Sequence, residues 1–164
     1  MKTLTWQNLF SIALSLFIAL VLLLIPPPSW ALWFKPPWVE MIVFFWVLYL
    51  PQQFNLITAW FIGLFIDVLT NAPLGEHAAT LITATYLVRK FYQQLRMFPL
   101  WQQSCVISIV LLIHQLLLFW IQHLIGQHPV WIIWIPPLMS LFLWPLMVTF
   151  LKSSFRKILL ATSF

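Results

Sequence analysis

Ile57–His77, reading ITAWFIGLFIDVLTNAPLGEH, is an apolar run with one carboxylate, Asp67, set inside it and a turn cluster at its end. An ionised Asp at the centre of a membrane helix costs roughly 2.5–3.5 kcal/mol on insertion scales, so it should face protein or a wet cavity and not lipid. Ala59, Gly63, Asp67 and Asn71 recur every fourth residue and share one helix face. Ala59 and Gly63 form a small-xxx-small pair that lets a second backbone approach. The run breaks at Asn71-Ala72-Pro73-Leu74-Gly75, where Pro73 blocks a helix and Gly75 permits positive φ. The stretch therefore predicts a membrane helix, a tight turn and a returning helix, with Gly63, Asp67, Asn71, Pro73 and Gly75 shaping the hairpin.

The whole chain fits a lipid solvent. Of its 164 residues 63% are hydrophobic and 7% charged, with eleven Trp and fifteen Phe. A soluble domain of this size has too few charged groups to cover such an apolar surface. One domain suffices for the length. Cys105 is the single cysteine and forms no disulfide within the chain. The net charge of +5 marks membrane-flanking ends and not a nucleic-acid partner.

Outward from the central stretch, apolar runs predict helices at about 9–25, 38–50, 56–71, 77–89, 104–125 and 131–151. A short interfacial helix is expected at about 89–98, within the polar segment Arg89–Gln103. The first run resembles a signal peptide near Ser29-Trp30-Ala31, but it is long for one and is read as an uncleaved helix. Trp30, Trp33 and Trp38 form an aromatic edge suited to the outer membrane–water interface. Runs two to four are shorter than the ~20 residues a perpendicular span needs. Ser108, Gln115 and Gln122 repeat every seventh residue as a polar stripe facing other helices. The last helix should kink or bend near Pro136-Pro137 and Pro145.

Charge orients the spans. With the N-terminus inside, the cytoplasmic segments hold Lys2, the set Arg89, Lys90 and Arg96, and the set Lys152, Arg156 and Lys157. That is seven of the eight basic residues, leaving Lys35 outside. Six spans with both termini cytoplasmic satisfy the rule; four spans with a partly re-entrant unit satisfy it too. The segment Arg89–Trp101 and the basic tail are suited to anionic lipid headgroups or to a cytoplasmic partner.

Catalytic signatures are missing. The sequence has no phosphate loop, dinucleotide glycine pattern, HExxH or GxSxG. The three acids stand on different segments. His77, His114, His123 and His128 read as packing or interface residues, and no metal or cofactor is expected. An intramembrane enzyme would need Glu76 or His77 beside Asp67. Asp67 itself reads either as a hydrogen-bond anchor for the hairpin, through a Thr80 or Thr83 hydroxyl or a backbone N–H of the returning helix, or as a proton or substrate site.

An ordered set of short pieces carries a family resemblance. Phe34-Lys35-Pro36-Pro37-Trp38, Tyr49-Leu50-Pro51, Asn55, Gly63, Asp67, Leu74-Gly75, Leu100-Trp101-Gln102-Gln103 and Leu143-Trp144-Pro145 resemble the MreD family of bacterial rod shape-determining proteins. The likeness runs from about Leu20 to Lys157. It implies an all-α inner-membrane subunit of the elongation machinery that builds side-wall peptidoglycan. It implies direct binding to MreC, in one complex with MreB, RodA and a penicillin-binding transpeptidase. It also implies a six-helix fold similar to the substrate-binding subunits of energy-coupling-factor vitamin transporters. Three readings follow: a non-enzymatic scaffold subunit, a transporter substrate-binding subunit, and an intramembrane enzyme. The absence of a catalytic constellation favours the first.

Overall fold

The computed structural model describes residues 6–26, 35–127 and 134–155. Of the residues named above, Lys2, Ser29, Trp30, Ala31, Trp33, Phe34, His128, Arg156 and Lys157 lie outside these ranges. Among the described residues the chain is all helix with no strand: α1 Trp6–Leu24, α2 Trp38–Tyr49, α3 Leu56–Thr70, α4 Glu76–Lys90, α5 Tyr92–Met97, α6 Leu100–Leu124 and α7 Ile135–Ser154.

The shortest of the apolar helices is the centre of the molecule. Val39 and every residue of α2 from Met41 to Leu48 are buried. A helix that is hydrophobic all round belongs inside, and α1, α4, α5 and α7 pack around this one. Twelve residues span only about 18 Å. Protein, and not lipid, covers this helix, so its shortness need not distort the bilayer. Trp46 anchors it: its indole N–H donates to Ser15 Oγ on α1 at 2.9 Å, and its ring packs on Phe54 and Phe155.

Local chemistry sets the helix ends. Asn55 caps α3, its Oδ1 accepting Thr58 N–H at 3.0 Å. Asn71 closes α3 in the left-handed region at φ 53°. Lys35 donates its ammonium to Leu23 O at the C-terminal end of α1, at 2.6 Å, where the helix dipole favours a cation. α4 runs on through Arg89 and Lys90, and Phe91 interrupts it. Of the three basic residues expected on one interfacial helix, only Arg96 lies on α5. α6 starts at Leu100, directly after Pro99, and so takes in Trp101, Gln102 and Gln103.

Pro136 and Pro137 occupy the first turn of α7, where a missing N–H breaks no hydrogen bond. They begin the helix and do not kink it, which corrects the expectation at those two positions. Pro145 lies within the helix. Among the described residues two helices, α6 and α7, are long and apolar enough to cross a membrane; Ile12–Leu24, α2 and α3 are shorter apolar helices. Large apolar side chains such as Phe61, Phe65, Trp101, Trp120, Phe142 and Phe150 face outward.

Candidate functional site

Gly63 sets the distance between α3 and α4. A Cβ at Gly63 would collide with the Ala78 Cα and stand 2.7 Å from Ala78 N. The backbones therefore touch at the first turn of α4, with Ala59 and Ala78 buried beside the contact. The small-residue face meets its partner one turn from Asp67.

Asp67 is fully buried at that crossing. Its Oδ2 accepts Gly75 N–H at 2.8 Å, its Oδ1 accepts His77 N–H at 2.8 Å, and the same Oδ1 lies 2.8 Å from His77 Nδ1. The first N–H groups of a helix have no partner within it. Gly75, the N-cap of α4 at φ 99°, has no side chain with which to cap them. Asp67 does so from the neighbouring helix, and places its negative charge at the positive end of α4. With the carboxylate ionised, His77 Nδ1 carries the hydrogen and donates. The acceptors of the anchor are thus met by backbone N–H groups and His77. Thr80 turns the other way, its hydroxyl 3.1 Å from His114 Nε2 on α6.

The structure gathers Gly63, Asp67, Pro73 and Gly75 into one hairpin. Asn71 is the exposed C-cap of α3 and not a member of its buried face. Trp38 opens α2 at the same end of the bundle, partly buried.

Sequence reasoning missed how far the polar groups converge. All three acids lie at this end. Gln122 on α6 donates to Glu76 Oε1 at 2.6 Å, while the other Glu76 oxygen is buried without a partner. Glu40, in the first turn of α2, stands within electrostatic reach of His77 and Lys35, and one of its oxygens is also buried and unpartnered. The seven-residue spacing of Ser108, Gln115 and Gln122 was the available signal. Ser108 Oγ donates to Pro137 O on α7, and Gln122 meets α4. His123 is exposed and stacks on Phe119. Among the described residues no three His, Cys, Asp or Glu side chains stand together as a metal site.

The described basic residues other than Lys35 occupy the opposite end. The Arg96 guanidinium lies 5.6 Å and the Lys152 ammonium 4.9 Å from the Tyr49 ring centroid. Lys90 lies 5.8 Å over its neighbour Phe91. The structure does not join Arg89 and Lys90 to the Arg96–Lys152 pair.

Apolar side chains on the outside, a central helix buried from Met41 to Leu48 and polar groups bonded between helices are those of an all-α membrane protein. The chain belongs to the MreD family: the model for "rod shape-determining protein MreD" matches residues 4–154. It is 30% identical over 152 residues to the rod shape-determining protein MreD of Haemophilus influenzae, covering 91% of this chain and 93% of that one. No solved structure matches it.

Proposed function

We propose that this chain is a non-enzymatic inner-membrane subunit of the bacterial rod complex, required for rod shape and side-wall peptidoglycan synthesis through direct binding to MreC. MreB, RodA and a penicillin-binding transpeptidase stand in the same complex. In this reading the chain is one polytopic domain of six spans, with both termini in the cytoplasm and α5 lying along the inner surface. Membership of the MreD family carries the proposal. The hairpin supports it: a carboxylate whose partners are the turn and first residues of the next helix holds a shape that a partner can recognise. The vitamin-transport alternative finds no support in the family match. Its principal candidate ligand group, Asp67, is already taken up by Gly75 and His77.

Co-purification from native membrane tests the proposal. MreC should be recovered together with cell-wall synthases. Recovery of an ATP-binding transport module in their place would overturn it.

A further inference from the structure

The chain separates its charges to an unusual degree. Its only three acidic side chains are Glu40, Asp67 and Glu76, all at the end of the bundle that holds the α3–α4 turn. Arg96 and Lys152 lie at the other end, on α5 and α7, so no acidic side chain of this chain can neutralise them. Even so, the two cations converge on one ring, each within 6 Å of the Tyr49 centroid. Attraction to an aromatic face draws each of them there. Among the described residues no carboxylate lies beside either cation.

The arrangement is built into the fold. The Trp144 indole N–H on α7 donates to Gln103 Oε1 at 3.0 Å, and Gln103 Nε2 donates to Leu95 O at 3.0 Å. Trp144, Gln103 and Leu95 are all buried. This chain of bonds fixes the residue next to Arg96 against α6 and α7. Tyr49 packs on Phe45 at 4.8 Å. Lys152 follows the buried Leu151, one turn before Phe155 packs on Trp46. The ring and the roots of both cationic side chains are therefore held by buried packing, while the cations themselves are exposed.

We propose that Tyr49, Arg96 and Lys152 form a discrete binding site for the phosphate of an anionic phospholipid. An anion at this site meets two cations on one aromatic ring, and Arg offers a fork of donors to phosphate oxygens. The immediate surroundings select a lipid over a free anion. Met97 and Phe98 beside Arg96 are exposed apolar side chains on which acyl chains can lie. The inference extends the membrane reading and does not depend on MreC. It is tested on the purified chain alone, so its failure is separate from failure of the pull-down above.

The test is native mass spectrometry of the delipidated, detergent-solubilised protein titrated with phosphatidylglycerol or phosphatidylcholine. One phosphatidylglycerol should bind with clear preference over phosphatidylcholine. Arg96→Gln with Lys152→Gln should weaken that first binding roughly thirtyfold, equivalent to about 2 kcal/mol at about 1 kcal/mol per basic residue. Arg89→Gln with Lys90→Gln should change it less than about threefold, and Arg96→Lys with Lys152→Arg should retain it. Circular dichroism of each variant checks that the helices are intact, and if the Gln pair misfolds the single change Lys152→Gln, expected to weaken binding about fivefold, decides the matter, an unchanged affinity overturning the proposal. Equal binding of the two lipids, or an unaffected folded Gln pair, would overturn the proposal. Displacement of the lipid by inorganic phosphate would instead identify a free-anion site, and displacement by an acidic peptide a protein-docking site; either result overturns the lipid assignment.

Discussion

Asp67 on α3 and His77 on α4 meet twice through one oxygen: Oδ1 accepts the backbone N–H of His77 and faces its Nδ1, each at 2.8 Å. One side chain therefore satisfies the start of a helix and is itself held by that helix's second residue. The cost of burying a charge in an apolar bundle falls when every bond it needs is supplied by groups that also lack partners. This is why the only acid within the α3 run can sit at its most crowded crossing.

The first prediction concerns that crossing. Gly63→Ala would normally stabilise a helix by about 1 kcal/mol through propensity alone. Here the added methyl runs into the Ala78 backbone, which cannot rotate away as a side chain would. Overpacking of this kind typically costs about 1–3 kcal/mol, or more where backbone must move. Gly63→Ala should lower the unfolding midpoint in mixed micelles, and Gly63→Leu should prevent stable accumulation. An alanine variant as stable as the parent would contradict the close approach.

Gln103 is the second. It takes Trp144 N–H on one side and donates to Leu95 O on the other, in a fully buried position. Gln103→Leu keeps the approximate size, leaves Trp144 N–H unpaired at about 1–3 kcal/mol, and leaves Leu95 O with Phe98 N–H alone. The loss should appear locally. Hydrogen exchange in Tyr92–Met97 should quicken more than in α6 or α7, because α5 is a six-residue helix with little else to hold it.

The third tests the sidedness of the bundle. Gln94 lies on α5 and Gln127 just beyond α6, and the 25 residues of α6 separate them by about 37 Å. Alkaline phosphatase fused after Gln94 should be inactive, and fused after Gln127 active. The reverse pair of results would exclude an orientation with both termini in the cytoplasm.

Helix was legible throughout because long apolar runs in a chain with 7% charged residues leave few other structures. The turn after α3 was legible for a different reason: Asn71, Pro73 and Gly75 are read from backbone chemistry, which acts locally. What meets Asp67 was legible in part: of the two donors expected, the backbone N–H is the one found, and the His77 ring joins it in place of a Thr hydroxyl. Spacing puts Thr80 and His77 near the same end of α4 but does not say which of them turns toward α3, and that register is set by the Gly63–Ala78 contact. Glu76 and Gln122 are 46 residues apart, and periodicity within each helix carries no record of that pairing. The buried position of α2 was also hidden, since an apolar helix facing lipid and one facing protein have the same composition.

The last prediction decides whether Asp67 anchors the hairpin or carries a proton. Asp67→Asn retains one acceptor oxygen, enough for His77 N–H and Nδ1–H if it occupies the Oδ1 position. Its amide nitrogen then faces Gly75 N–H, donor against donor, so one of three bonds is lost. The expected cost is about 1–3 kcal/mol for the group left unpaired. Asp67→Leu loses all three bonds and leaves two backbone N–H groups at the start of α4 without a partner, so its cost should be larger by one further such increment or more. His77→Phe removes the side-chain bond only and keeps the backbone pair. An anchor predicts a graded series in which protein level, MreC recovery and rod shape fall together, mildly for Asp67→Asn and His77→Phe and severely for Asp67→Leu. A proton-carrying group predicts that Asn abolishes function as completely as Leu while stability and MreC binding hold. An Asp67→Asn protein that is abundant, bound to MreC and unable to support rod shape would therefore refute the anchor, because no loss of shape in the hairpin could account for it.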